Sequence, residues 1–185
     1  GLATALTALA QFFAALPGAY HHTGDPMAES QSPPLLQLDV MGERGELANL
    51  LSFSDKEETL WMVDCGGTLT YQRQLLPLLR NRGINHLDAL IITHGDQGHI
   101  GSAPALLSQL RPPLLFEGPF KSRSPVYPQI RALADSLGVQ TTSLAAGQRV
   151  HLNEQVTWEV LAPSTNSNNS YRFADDKALV LKLTC

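Results

Sequence analysis

The chain has 185 residues, 43% hydrophobic and 16% charged, which fits one globular domain and excludes a disordered or fibrous chain. Lys and Arg total 13 against 17 Asp and Glu, a formal net charge of −4, which argues against a strongly basic nucleic-acid binder but leaves room for a local basic patch. Cys65 and Cys185 form no CxxC unit and no disulfide framework, so they do not reveal a compartment.

Residues 1–20 carry no charge, and Leu2, Leu6, Leu9, Phe12, Phe13 and Leu16 recur at helical spacing until Pro17-Gly18. The segment is Ala-rich, interrupted by Thr4, Thr7 and Gln11, and lacks a basic leader. It reads as an amphipathic helix packed on protein, in preference to a signal peptide or a helix lying at a membrane. Residues 21–34, rich in His, Gly, Pro and Ser, read as a linker, and domain-like patterning runs over 35–185.

Leu35–Met41 and Leu47–Phe53 predict two strands around a Gly-containing turn, and Leu60–Asp64 a third, stopped by Gly66-Gly67. Tyr71–Arg82 predicts a helix that Pro77 kinks or shortens. Leu87–Thr93 is a nearly continuous apolar run, the mark of a strand buried on both faces. Helices follow at Ser102–Leu110 and Tyr127–Leu137, the second ended by Gly138, with a short strand at Leu114–Phe116 between them. Val139–Leu144, Arg149–Leu152, Val156–Leu161 and Ala178–Leu183 predict further strands, and Ser164–Tyr171 a polar loop. The mixture points to an α/β (α+β) fold in which sheet is covered by helices.

The segment Thr93-His94-Gly95-Asp96-Gln97-Gly98-His99-Ile100-Gly101 carries the chemistry. His94, Asp96 and His99 fall within six residues, directly after a buried strand and before a helix. Ligands in α/β folds gather at the carboxyl ends of strands. Imidazole and carboxylate together suit Zn, Mn or Fe. His21, His22, His86 and His151 read as structural or exposed. Arg73, Arg80, Arg82, Lys121, Arg123 and Arg131 read as ordinary solvated surface.

The same segment resembles the metallo-β-lactamase superfamily signature T-H-x-H-x-D-H-x-G, and more closely the T-H-x-D-x-D-H-x-G variant of ComEC-type DNA-internalisation proteins. Thr93, His94, Asp96, His99 and Gly101 match that variant. Leu38-Asp39-Val40, Val63-Asp64-Cys65-Gly66-Gly67, Leu87–His94 and Gly147-Gln148-Arg149 with Trp158–Pro163 resemble further family segments, in order. Phe12–Tyr20 looks like the tail of the membrane region preceding this domain in those proteins.

The resemblance implies an αββα metallo-β-lactamase-like sandwich over 35–185, truncated at its C-terminal end because the family takes further ligands from its second half. It implies His94, Asp96 and His99 as metal ligands, with Asp64 orienting the site through hydrogen bonds and Asp39 supporting the loop. The implied cofactor is Zn or Mn, as one ion or none. The implied role is a divalent-metal nuclease on the non-imported strand during DNA uptake. Its partners are single-stranded DNA and the membrane channel region of the same protein. The implied location is the bacterial cell membrane, with this domain outside the bilayer and the chain as given soluble.

Gly98 departs from the pattern, standing where the family has a ligand Asp of the second metal. A glycine supplies no donor atom, so a degenerate structural or DNA-guiding module is the rival reading, and for the isolated chain it stands ahead of an active nuclease. A small ester, thioester or lactone hydrolase is the third. Gly98→Asp is expected to raise metal affinity if the geometry is otherwise intact.

Overall fold

A computed structural model describes residues 36–54, 58–152, 156–165 and 177–184. All belong to one compact unit, Pro33–Cys185. The expected helix over 1–20 and linker over 21–34 lie outside the described residues, as does most of the expected loop 164–171.

Six strands form the first sheet, in the order β1 (Leu36–Glu43), β2 (Glu46–Ser54), β3 (Glu58–Cys65), β4 (Ala89–Ile92), β5 (Leu114–Glu117) and β6 (Gln140–Ser143). The first three are antiparallel neighbours and β3 to β6 run parallel. A second, antiparallel sheet holds β7 (Arg149–His151), β8 (Thr157–Ala162) and β9 (Val180–Thr184).

Alternation along the strands divides the core into two layers. Leu50, Leu60, Met62, Leu90 and Ile92 face the helices, while Leu51, Trp61, Val63, Ala89 and Ile91 face the second sheet. Trp158 and Val160 of β8 close the inter-sheet layer from the other side. The Trp61 and Phe116 rings stack within it, 5.5 Å between centroids. The buried run in β4 thus serves two cores at once, which is why it reads as continuous apolar sequence.

The helices are α1 (Thr68–Asn81), α2 (Gln97–Ile100), α3 (Ala103–Leu110) and α4 (Tyr127–Leu137). All four bury residues in the same layer. The architecture is therefore helices on sheet on sheet. Among the described residues no helix covers the outer face of the second sheet, the fourth layer of the expected αββα sandwich.

Pro77 does not end α1, and stands at the start of its last segment, Leu76–Asn81. Tyr71–Leu75 forms a π-helical turn just before it, with Leu76 N–H donating to Tyr71 O. Proline has no N–H for the carbonyl four residues back, and a widened turn absorbs the gap. Paired strand in Leu87–Thr93 is limited to Ala89–Ile92, because Asp88 turns aside. Its Oδ2 accepts from Leu60 N–H at 2.7 Å, and its own N–H donates to Leu60 O at 2.9 Å.

Candidate metal centre

Asp64 ends the apolar run of β3. Its side chain is 2% exposed and its backbone is left-handed, φ 55°. Such a conformation costs a non-glycine residue about 1–3 kcal/mol, least for Asp and Asn. The turn aims the carboxylate at the next strand end. Oδ1 accepts Thr93 N–H at 2.9 Å, and Oδ2 accepts the Thr93 hydroxyl at 2.6 Å. Oδ2 also lies 2.8 Å from His99 Nδ1.

Hydrogen-bond direction propagates from that carboxylate. An ionised carboxylate only accepts, so His99 Nδ1 is the donor. The Thr93 hydroxyl gives its proton to Asp64, so toward His94 Nδ1, 3.0 Å away, its oxygen acts as acceptor. In their neutral forms both rings would therefore carry the proton on Nδ1 and offer the lone pair of Nε2. One buried acid sets two imidazole tautomers, the arrangement by which outer carboxylates prepare histidines for metals. The two ring centroids are 4.0 Å apart.

Asp96 occupies the N-cap position of α2, where its backbone carbonyl accepts from His99 and Ile100 N–H. Its side chain is 56% exposed, with Oδ2 3.8 Å from His94 Nε2. The donor atoms of Asp64, His94 and His99 all lie within 4.8 Å of one another. Two imidazoles and carboxylates at this spacing fit one divalent ion of the Zn or Mn kind. Asp64 already accepts three hydrogen bonds, so it suits the orienting role. Asp96 is the exposed carboxylate beside His94.

Asp39 is not brought to this cluster. It sits on β1 and makes a two-pronged pair with Arg82 just beyond α1, at 2.6 and 2.8 Å. The β1 register places Asp39 opposite Leu50, on the helix-facing side. His151 is also elsewhere, on β7, with Nδ1 3.0 Å from the Thr157 hydroxyl.

Cys65 follows Asp64 and is fully buried, its thiol donating to His99 O at 3.4 Å. Burial, reinforced by the Asp64 charge, holds the thiol proton well above its ordinary range. It is therefore a packing residue.

A cleft of about 390 Å³ opens beside His94 and Asp96, against the ends of β4 and β5. Lys121, Arg123 and Lys177 line it, with Ser122 and Tyr127. Glu117, at the end of β5, also lines it but is engaged. It accepts the Tyr127 hydroxyl at 2.7 Å and pairs with Arg131 at 3.0 Å. Burial and the adjoining Glu117 raise the Tyr127 pKa and keep the phenol a donor. Lys177 arrives on the segment leading to β9, which Leu179 N–H ties to Thr93 O at 2.8 Å.

Sequence reasoning missed Glu117, Tyr127 and Lys177. Glu117 had a signal, its place at the carboxyl end of a parallel strand beside the motif strand. Lys177 had none, since only the tertiary fold carries it to the cleft.

Residues 47–117 match a family model described as the Metallo-beta-lactamase superfamily. The ComE operon protein 3 of Bacillus subtilis (strain 168) is 43% identical over 61 residues, covering 25% of this chain and 8% of that protein. Among solved structures, the metallo-beta-lactamase fold protein YhfI from Bacillus subtilis superposes with a TM-score of 0.51 at 15% identity, over 80% of this chain and 58% of that one. A beta-lactamase domain protein from Burkholderia ambifaria gives a TM-score of 0.45 at 18% identity, over 69% and 45%. The chain thus spans a small part of the curated relative and less than two thirds of these solved chains. Residues 47–117 are thus similar to the Metallo-beta-lactamase superfamily, and the fold around them is the metallo-beta-lactamase fold.

Proposed function

We propose that this domain binds one divalent ion and hydrolyses phosphodiester bonds in single-stranded DNA, as part of a ComEC-type DNA-uptake protein. The observation that carries the reading is the Asp64–Thr93–His94/His99 network at the head of a cleft lined by Lys121, Arg123 and Lys177. The partial likeness to ComE operon protein 3 supports the competence setting. In that setting the substrate is the strand that is not imported, the partner is the membrane channel region of the same protein, and the location is the cell membrane. No helix among the described residues is long and apolar enough to cross a membrane.

His94, His99 and Asp96 are the candidate ligands. A divalent ion supplies Lewis-acid polarisation and a water acidified toward neutrality. The chain's own residues do the rest. Asp64 fixes the two ring orientations and tautomers. Lys121, Arg123 and Lys177 draw the phosphate backbone into the cleft. Arg131 and the Tyr127 hydroxyl occupy the Glu117 carboxylate, so that this cleft-wall acid does not repel a phosphate.

A second reading, a DNA-guiding module without cleavage, is favoured by Gly98, which offers no carboxylate beside His99. The separating assay incubates the purified domain with end-labelled single-stranded DNA and Mn²⁺, alongside His99→Ala. Cleavage lost in the variant, with binding retained, is the expected result. Salt-sensitive binding without cleavage selects the guiding module. Turnover of thioesters or lactones with neither DNA binding nor cleavage overturns both.

A further inference from the structure

We infer that the turn between β1 and β2 closes the space beside His99 and limits the centre to a single ion. This rests on the metal reading of the same site. A Cβ built on Gly98 would lie 2.6 Å from Gly45 O and 3.4 Å from Glu46 Cα. The obstacle is backbone, which cannot swing away as a side-chain tip can.

The turn itself is tight and clamped. Arg44 and Gly45 both have positive φ, 52° and 84°, the two-residue geometry that matches strand twist. Gly42 exchanges N–H and C=O hydrogen bonds with the Gln74 side chain, at 3.2 Å each. Glu43 pairs with Arg73 at 2.8 Å. Glu46 Oε2 accepts Thr70 N–H at 2.7 Å, capping α1, and the Glu46 carboxylate lies against Gly67. Any side chain at position 98 must displace a turn that α1 holds at three residues.

The position therefore supplies no donor and is filled by a carbonyl wall. Glu46, whose Cα lies against this position, is committed to the helix cap. Among the described residues one group of three donors lies at ligating spacing, and it shares His94 and His99 with the proposed centre, so no separate second cluster is present. This corrects the expectation for Gly98→Asp: the geometry around position 98 is not intact for a carboxylate, and the substitution disturbs the hairpin instead of completing a second site.

The test is metal stoichiometry by elemental analysis after equilibrium dialysis against Mn²⁺ or Zn²⁺, with thermal melts of the metal-free protein, for wild type, Gly98→Ala and Gly98→Asp. One ion per chain is expected in the wild type. Gly98→Ala should lower Tm by about 3–10 °C, the overpacking range for a domain of this size, and Gly98→Asp by at least as much. Neither should gain an ion. Two ions on the wild type, or a second ion on Gly98→Asp with unchanged Tm, overturns the inference and leaves the metal reading standing. No ion on the wild type overturns the metal reading and this inference with it. If Gly98→Asp does not fold, Gly98→Ala decides, since an alanine without effect on Tm contradicts the closed turn.

Discussion

The two halves of the six-stranded sheet end differently. In the parallel half, β3, β4 and β5 stop in register and leave Asp64, His94 and Glu117 on one rim. In the antiparallel half, β1 and β2 fold back through Arg44-Gly45 and put a hairpin against Gly98. The first half opens a cleft and the second fills one. Two acids make the contrast concrete. Asp64 is buried among three donors, whereas Asp39 is a partly exposed partner of one arginine. Burial and donor count, not residue type, decide which acid organises a site.

The contrast breaks most sharply by truncation. Asp64→Ala leaves the His99 ring and both Thr93 donors without their acceptor inside the fold. It should cost about 3–5 kcal/mol, the range for removing one member of a buried pair, read as a fall in urea midpoint. A loss below 1 kcal/mol would remove Asp64 from its organising role. Asp64→Asn, nearly the same shape, should keep more of the stability but weaken Mn²⁺ or Zn²⁺ binding by roughly 10–100-fold, as outer-partner changes do. Titration calorimetry gives that ratio.

High pH should expose the same burial. Cys65 and Tyr127 have raised pKa values in the fold, while unfolded thiols and phenols ionise near about 8.5 and 10. Their contribution is complete below about pH 8.5 and is lost as pH rises toward the folded values, because only the unfolded chain then gives up the protons. Unfolding free energy should decline between about pH 9 and 10.5. A rise over that interval contradicts the assignment.

Smaller effects sharpen the picture. Lys121→Ala with Arg123→Ala should reduce the slope of log affinity against log salt for single-stranded DNA by about 0.7 for each phosphate no longer neutralised. An unchanged slope would place the backbone elsewhere. Asp39→Ala should cost about 0.2–1 kcal/mol, as exposed pairs do, and leave metal affinity untouched.

Much of this architecture is legible in the residues, and the limits are physical. Leu87–Thr93 reveals a strand because burial on two faces forces a continuous apolar run. The ligand types reveal themselves because strand ends in parallel sheets converge. The π turn before Pro77 and the short helix Gln97–Ile100 were not legible, since each is a local answer to packing that carries no hydrophobic period. Asp39 could not be separated from Asp64 by sequence, because its arginine lies 43 residues away. The wall facing Gly98 was equally hidden, since it is made by the backbone of a distant turn.

The central claim is that one buried carboxylate presets two imidazoles. The side-chain ¹⁵N spectrum of the metal-free domain reads it directly. Both His94 and His99 should carry a proton on Nδ1, with Asp64→Asn releasing at least His99 from that form. Neutral rings protonated on Nε2 in the unsubstituted chain would contradict it.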